Sequence, residues 1–439
     1  MARPVVVIGA GIAGLAAAHA LQKRGVPVEV IERESAPGGR MRSEHLAGGI
    51  VDRGAQFIAN TYGNMHALAR ELGIDNRIEP LHQPRNGVLK NGRIVGSDYE
   101  RLSDFVRSRD LSLASKLRLP KFFYHIYRHR GLLDFYHLEQ AAALDGESAA
   151  AYVRRAFGDE VLDYLIEPAF ASTFTVLPEN LSKAFLLAAL KLFLGGFHLQ
   201  AFHGGNGLLT RTLAEQLPVR LGTEVTRVEP RLHSVMLRLR QDGHEASLEA
   251  DRVIMAVPGN AVARLCRDLT PPEEAFFAAV RYAASIIVFV MTATTDSDPG
   301  LYGVGISRPE GVQLYGLAFE NVKAGAVPPG KTLFNCALSE ERAAQLMTAA
   351  DDVIVAAALR ELRQLPLRGL DRVEQCAVHR WPALVPQFYP GYHRALARFY
   401  ARPERSERVF FAGDYLVGPY TEAALTSGLR AAEAIAPST

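Results

Sequence analysis

Cysteine is scarce in this chain. Cys266, Cys336 and Cys376 are its three, and they stand far apart. They form no metal pattern, and an odd, sparse count suits a reducing cytosol rather than a disulfide framework. Core thiols are the expectation. No apolar run is long enough to span a bilayer. A strand already begins at Pro4 or Val5, so no signal peptide is expected and a cytoplasmic location follows. Charge of one sign is also lacking: 49 basic residues face 47 acidic ones, a net charge of +2. Nothing global points to nucleic acid. None of the 13 histidines falls in a metal-ligand or triad spacing. His198, His203 and His393 lie in segments that could face a site, with surface or core as the default role. Repeats and low-complexity tracts are missing too. What remains is an ordinary globular composition, 48% hydrophobic and 22% charged over 439 residues. That length suits two large domains, or one with a big insertion.

The informative segment is the start. Val5-Val6-Val7-Ile8 runs into Gly9-Ala10-Gly11-Ile12-Ala13-Gly14, and a second apolar run, Val28-Glu29-Val30-Ile31, ends at Glu32-Arg33. This reads as strand, glycine turn, helix, strand and acid. Gly9 lets the chain turn off the strand, Gly11 lets a pyrophosphate approach the backbone, and Gly14 lets the helix pack close to the sheet. The helix N-terminus favours negative charge. Glu32 is placed to accept hydrogen bonds from the adenosine ribose hydroxyls, and its carboxylate repels a 2′-phosphate, which disfavours NADP. A dinucleotide and redox chemistry are therefore expected.

Further on stand Pro37-Gly38-Gly39-Arg40 and Asp52-Arg53-Gly54-Ala55-Gln56-Phe57. A second glycine pair followed by arginine gives another close backbone approach and a guanidinium for phosphate oxygens. Here the chain resembles the flavoprotein superfamily of amine oxidases, protoporphyrinogen oxidases and phytoene desaturases, in which these segments occur in this order. The resemblance implies FAD, with Gly54, Ala55, Gln56 and Phe57 running past the flavin ring. It implies that Gly413-Asp414, behind Arg408-Val409-Phe410-Phe411-Ala412, lies near the ribityl chain. Thr421-Glu422-Ala423 would open a helix whose N-terminus faces the flavin and stabilises its reduced form. Val225 would contact the adenine.

The fold class implied is α/β: a Rossmann-type FAD-binding domain with an inserted α+β substrate domain. The first is expected over 1–80, 204–270 and 395–439, and the second over 81–203 and 271–394. Within the latter, 141–157 and 161–170 are apolar at helical spacing, 285–292 and 333–338 are strand-like, and 352–365 is an amphipathic helix. From Arg101 to His137, eight Lys/Arg stand against three Asp, with aromatics interleaved. That is either a solvated helix pair or a weak peripheral contact with anionic lipid. The apolar stretch 184–197 is read as core or tunnel wall.

The resemblance also frames the chemistry. Amine oxidases of the superfamily place a lysine near the flavin N5 atom where this chain has Ser285, which counts against amine oxidation. Tyr420 matches one wall of their aromatic cage. Tyr389 and Tyr392 are candidates for the other, or are core residues. Segments 166–170 and 380–393 resemble the protoporphyrinogen-oxidase branch more. The catalytic candidates are thus Tyr420, Tyr392 and Ser285. The expected activity is dehydrogenation of a bulky, mainly apolar or aromatic small molecule, at CH–CH or CH–NH, by hydride transfer to flavin N5 with oxygen as oxidant. An amine oxidase, or a flavin isomerase or mutase without net redox, is the alternative. Intact Glu32, Gly39-Arg40 and Gly413-Asp414 argue against a chain that lost its cofactor.

Overall fold

Val5–Ile8 is buried at every position, as a strand covered on both faces must be. In the computed structural model, which describes residues 3–82, 85–97, 111–296 and 299–437, it pairs in parallel with Val28–Ile31 and with Arg252–Met255. Val219–Arg220 and Val409–Phe411 complete a five-stranded parallel sheet. Its strands therefore come from three stretches far apart in sequence. Helix Ile12–Lys23 connects the first two strands. It stops before Gly25, whose φ of 71° is in the left-handed region that glycine adopts at little cost. The closing helix Thr421–Ile435 lies against it, so close that a Cβ on Gly428 would sit 2.1 Å from the Ala13 carbonyl oxygen. Thr223–Pro230, Val235–Gln241 and His244–Ala250 form an antiparallel sheet of their own.

A second large sheet has seven strands, in the order Val373–Pro386, Tyr282–Thr292, Thr332–Leu338, Leu314–Phe319, Gly303–Gly305, Asn86–Lys90 and Arg93–Ser97. It is mixed, because Gly303–Gly305 runs parallel to Asn86–Lys90. Tyr282–Thr292 is central, and its side chains alternate as a pleated strand requires. Ile286, Val288 and Val290 pack with Ile354, Ala358 and Leu362 of helix Asp351–Leu362. Ile287, Phe289 and Met291 face the other way, toward Leu46, Val51 and Leu384.

The helical insertion departs from its periodicity in two places. The stretch 141–157 is not one helix: a 3-10 segment, Leu138–Leu144, stops at Asp145, and Ala149–Phe157 restarts behind it. The break has a polar cause. Ser148 Oγ caps the new helix by accepting from Ala151 N at 3.1 Å, while Asp145 is drawn into the core beside His393, 3.3 Å away. The stretch 161–170 passes through a π turn, Leu162–Ile166, before helix Glu167–Phe174. Pro168 lacks the N–H that a regular helix needs there. Part of the basic stretch, residues 98–110 with Arg101, Asp104, Phe105, Arg107, Arg109 and Asp110, lies outside the described residues. Among the described residues no helix is long and apolar enough to cross a membrane.

Candidate active site

A cavity of about 1070 Å³ runs from Glu32 and Val225, past Gly11 and Gly39, into the space between the two large sheets. Its adenosine end is built by the opening motif, and each glycine has a separate geometric reason. Gly9 has φ 105°, and a Cβ there would meet the Ala256 carbonyl oxygen at 2.6 Å. On Gly14 a Cβ would sit 2.0 Å from the Gly9 oxygen. Gly11 differs: its φ is −76°, and a Cβ would meet no atom within 4 Å. The space it would fill belongs to the cavity, at a helix N-terminus whose first N–H groups have no intrahelical acceptor. That is where a pyrophosphate fits. The Glu32 carboxylate is held by Ala10 N at 2.7 Å and Glu34 N at 2.9 Å, and lines the cavity together with Ala13 and Arg33. Ala10 and Gly14 serve from behind and do not line it.

The second glycine loop is tied to the first, since Gly38 N donates to Ala10 O at 2.8 Å. The Arg40 guanidinium reaches across the cavity wall rather than standing free for a phosphate. It donates to both Asp414 oxygens, at 2.5 and 3.1 Å, and to Leu384 O at 2.7 Å. Burial disfavours the Arg40 charge, but Asp414 beside it holds its pKa above the usual value. Gly54, Ala55, Gln56 and Phe57 follow along the wall. Gly54 is required there, because a Cβ would lie 2.5 Å from Arg40 O. Gly413, Asp414, Tyr420 and Thr421 close the site from the C-terminal segment.

Several expected site residues lie elsewhere. Glu422 is fully buried, and its carboxylate points away from the cavity, accepting from Asn64 N at 2.8 Å, Met65 N at 2.9 Å and Tyr136 OH at 3.2 Å. It therefore caps helix Gly63–Glu71. Ala424 lines the cavity in place of Ala423. Tyr392 is a core residue: it is wholly buried, its hydroxyl donates to Tyr415 O at 2.9 Å, and it packs on Phe388. Tyr389 donates to Ala279 O at 2.7 Å, and it too is outside the cavity lining. Ser285 is buried with its Oγ 3.5 Å from Leu338 O, and Ile287 is the residue of that strand lining the cavity. A β-bulge between Ala283 and Ser285 shifts the register just before the position at which amine oxidases of the superfamily carry their lysine. Of the three histidines, only His198 lines the cavity.

Tyr420 does face it, but not as one of two opposed rings. Phe135 stacks on it at 4.1 Å and 15°, Tyr62 sits 6.0 Å away, and its hydroxyl donates to the Phe135 carbonyl. Burial raises the pKa of Tyr420 well above that of a free phenol. Farther in, the walls are Leu165, Phe174, Phe193, Phe197 and Leu317. Helix Glu167–Phe174 approaches the sheet closely because Gly305 and Gly316 lack side chains; a Cβ would meet Pro168 at 2.7 Å and Ser172 at 2.8 Å. The apolar stretch 184–197 divides its role. Ala184 to Ala189 are core, while Leu192, Phe193 and Phe197 line the cavity. Sequence reasoning missed Trp381, Tyr302 and Asn335 as lining residues. The tryptophan was the one available signal, being the sole one in the chain.

Glu422 supports a stability prediction. Glu422→Ala strips two backbone N–H groups of their acceptor, that of Met65 buried and that of Asn64 partly so, and a loss of about 1–3 kcal/mol is expected in denaturant melts. Its own titration has a defined sign. Burial raises its pKa, against the lowering by Asn64 and Met65. A carboxyl raised in the folded state binds more protons there than when unfolded. Stability should therefore fall as pH climbs from the unfolded value to the raised one, and then level off. Glu422→Gln should lack that slope.

The parallel sheet, the cradle at Gly11 and the held Glu32 define a dinucleotide-binding protein and fit the adenosine and pyrophosphate of FAD. Residues 12–436 match the family described as flavin containing amine oxidoreductase, and the chain belongs to that family. It is an FAD-dependent oxidoreductase. The chain is 34% identical over 185 residues to mitochondrial protoporphyrinogen oxidase of Nicotiana tabacum, a match spanning 41% of this chain and 34% of that protein. It is 23% identical to coproporphyrinogen III oxidase of Bacillus subtilis (strain 168), over 89% of each. The fold is that of cyclohexylamine oxidase from Brevibacterium oxydans IH-35A, with a TM-score of 0.77, 20% identity and 99% of both chains covered.

Proposed function

We propose that this enzyme dehydrogenates a CH–CH bond in a bulky, mainly apolar or aromatic substrate. The observation carrying this reading is the covered face of Tyr420. With Phe135 stacked on it at 4.1 Å, and with Tyr389 and Tyr392 away from the cavity, these tyrosines make no pair of facing rings to admit an amine. FAD held along Glu32, Gly11 and Gly39 would supply a two-electron acceptor for a hydride from substrate carbon, the accompanying proton passing to solvent and oxygen serving as the final oxidant. The protein's part is to bind and orient. Leu165, Phe174, Phe193 and Leu317 give an apolar wall from which water is excluded on binding. The cofactor unit in this reading is residues 1–80, 204–270 and 395–439, with 81–203 and 271–394 forming the substrate unit.

Anaerobic mixing of the yellow holoenzyme with protoporphyrinogen IX, coproporphyrinogen III and cyclohexylamine tests the proposal. We expect the 450 nm band to bleach with a porphyrinogen and not with the amine, and to return with peroxide on admitting air. Bleaching by cyclohexylamine alone would sink it. A cytoplasmic enzyme with weak lipid contact is part of the reading. Leu113 and Leu117 are 73% and 74% exposed, near the exposed Tyr124 and Tyr127, with Lys121 and Arg128 interspersed. Vesicles rich in phosphatidylserine should co-float with the enzyme at low salt and release it at high salt. No flotation at low salt removes that element.

A further inference from the structure

Behind the cavity wall lies a buried ionic cluster that the cofactor does not explain. Lys323 Nζ is 2.6 Å from Glu320 Oε2, 3.1 Å from Asp52 Oδ2 and 3.4 Å from Gln56 Oε1. All three charged side chains are at most 5% exposed. Burial works against the ammonium, yet Glu320 and Asp52 hold its pKa above that of a free lysine. Asp52 is further held by Ser43 Oγ at 2.6 Å and by Asn206 N at 2.8 Å.

The cluster reaches the cavity through two amides, and they differ. Gln56 donates to Asp52 O and Gly54 O, at 2.7 and 3.1 Å, and turns its oxygen to Lys323, so its side chain is fully engaged. Asn335 donates through Nδ2 to Glu320 Oε1 at 3.1 Å. An ionised carboxylate can only accept, so it decides which end of the amide faces it. The Asn335 oxygen is left without a protein donor among the described residues, on a side chain that lines the cavity. Asn335, Ala318 and Gly303 stand side by side on adjacent strands, with Tyr302 next in the chain and also lining the cavity.

We propose that Asn335 is a specificity-determining residue that presents a hydrogen-bond acceptor to the substrate, and that Glu320 and Lys323 are positioning residues that set which way its amide points. The substrate group it takes is an N–H or O–H donor on an otherwise apolar molecule. This rests on the apolar-substrate reading above and narrows it. Loss of Lys323 would leave the Glu320 and Asp52 carboxylates without the cation between them, and so free Glu320 from the place in which it fixes the amide.

A matched pair of probes tests this. Indole and indene have the same shape, and only indole carries an N–H. Titrated into the holoenzyme and followed by the flavin absorbance change, indole should bind about tenfold more tightly than indene, as one hydrogen bond in a dry site implies. Asn335→Leu should bring the ratio to about one. Glu320→Gln and Lys323→Met should lower it, and Lys323→Arg should restore it. A purely structural role would weaken both probes together and leave the ratio alone. Equal binding of the two in the wild type, no measurable indole binding, or a ratio untouched by Asn335→Leu would each overturn the proposal. Should Lys323→Met fail to fold, Asn335→Leu and Glu320→Gln decide it. Failure here with porphyrinogen bleaching intact would leave the proposed function standing.

Discussion

Gly11→Val should give a folded but colourless protein, whereas Gly14→Val should give almost no folded protein. The two glycines are three residues apart in one motif and fail for opposite reasons. Gly11 has an ordinary φ of −76°, and the space beyond its missing Cβ contains no protein atom within 4 Å. A Cβ there meets no protein atom, and the branches of valine extend into the volume that a pyrophosphate would occupy. FAD affinity should fall at least about 100-fold, the equivalent of roughly 2.7 kcal/mol, while the melting temperature of the apoprotein stays within a degree or two of wild type. At Gly14 the added atoms meet the Gly9 carbonyl oxygen at 2.0 Å and the Ala256 Cβ at 3.1 Å. Neither is the end of a flexible side chain, so helix Ile12–Lys23 must lift off the sheet. Overpacking costs of several kcal/mol are expected. The ratio of 450 to 280 nm absorbance and melts of the apoproteins read both effects. A destabilised Gly11→Val apoprotein would show that Gly11 is a packing glycine and not a cofactor cradle.

Arg40→Met should cost about 3–5 kcal/mol of stability, with Arg40→Met/Asp414→Leu costing less than the single change. The pair is bidentate and its carboxylate is buried, with the Asp414 side chain 8% exposed against 27% for Arg40. Removing the cation leaves a carboxylate in the interior with its desolvation uncompensated; removing both leaves none. The third contact, to Leu384 O, means that Arg40 ties the opening segment to the C-terminal segment and to the long strand Val373–Pro386 at once. The partial exposure of Arg40 points to the lower half of the range. Denaturant melts of the two single variants and the double variant complete the cycle. A coupling below about 0.5 kcal/mol would mean that the pair is a surface-like contact of no consequence.

The parts of this site legible in the sequence are those where one residue's own geometry carries the function. A glycine turn between two apolar runs has few other solutions, and Glu32 at the end of the second strand follows from strand length alone. The parts that were misread depend on where a side chain points. Glu422 stands in the helix-opening segment next to Thr421, but the helix turns by about 100° per residue. Thr421 therefore meets the cavity while Glu422 meets the N-terminus of another helix. Ser285 matched a family position by counting along a strand, and a bulge just before it makes counting unreliable. Tyr392 and Tyr420 are both tyrosines in apolar surroundings, and nothing local distinguishes a core ring from a cavity wall.

By itself, then, the sequence determined the parallel sheet and the dinucleotide cradle, because strand hydrophobicity, glycine conformation and a placed acid are local properties, and its resemblance to a flavoprotein family implied FAD. Tertiary structure alone decided what shares the cavity with that cofactor. Phe135 reaches Tyr420 across 285 residues, and Glu320, Lys323 and Asp52 meet from segments about 270 apart. The physical reason is that substrate shape is set by side chains converging from distant segments. Burial and ionic pairing fix their directions only once the two sheets are packed together.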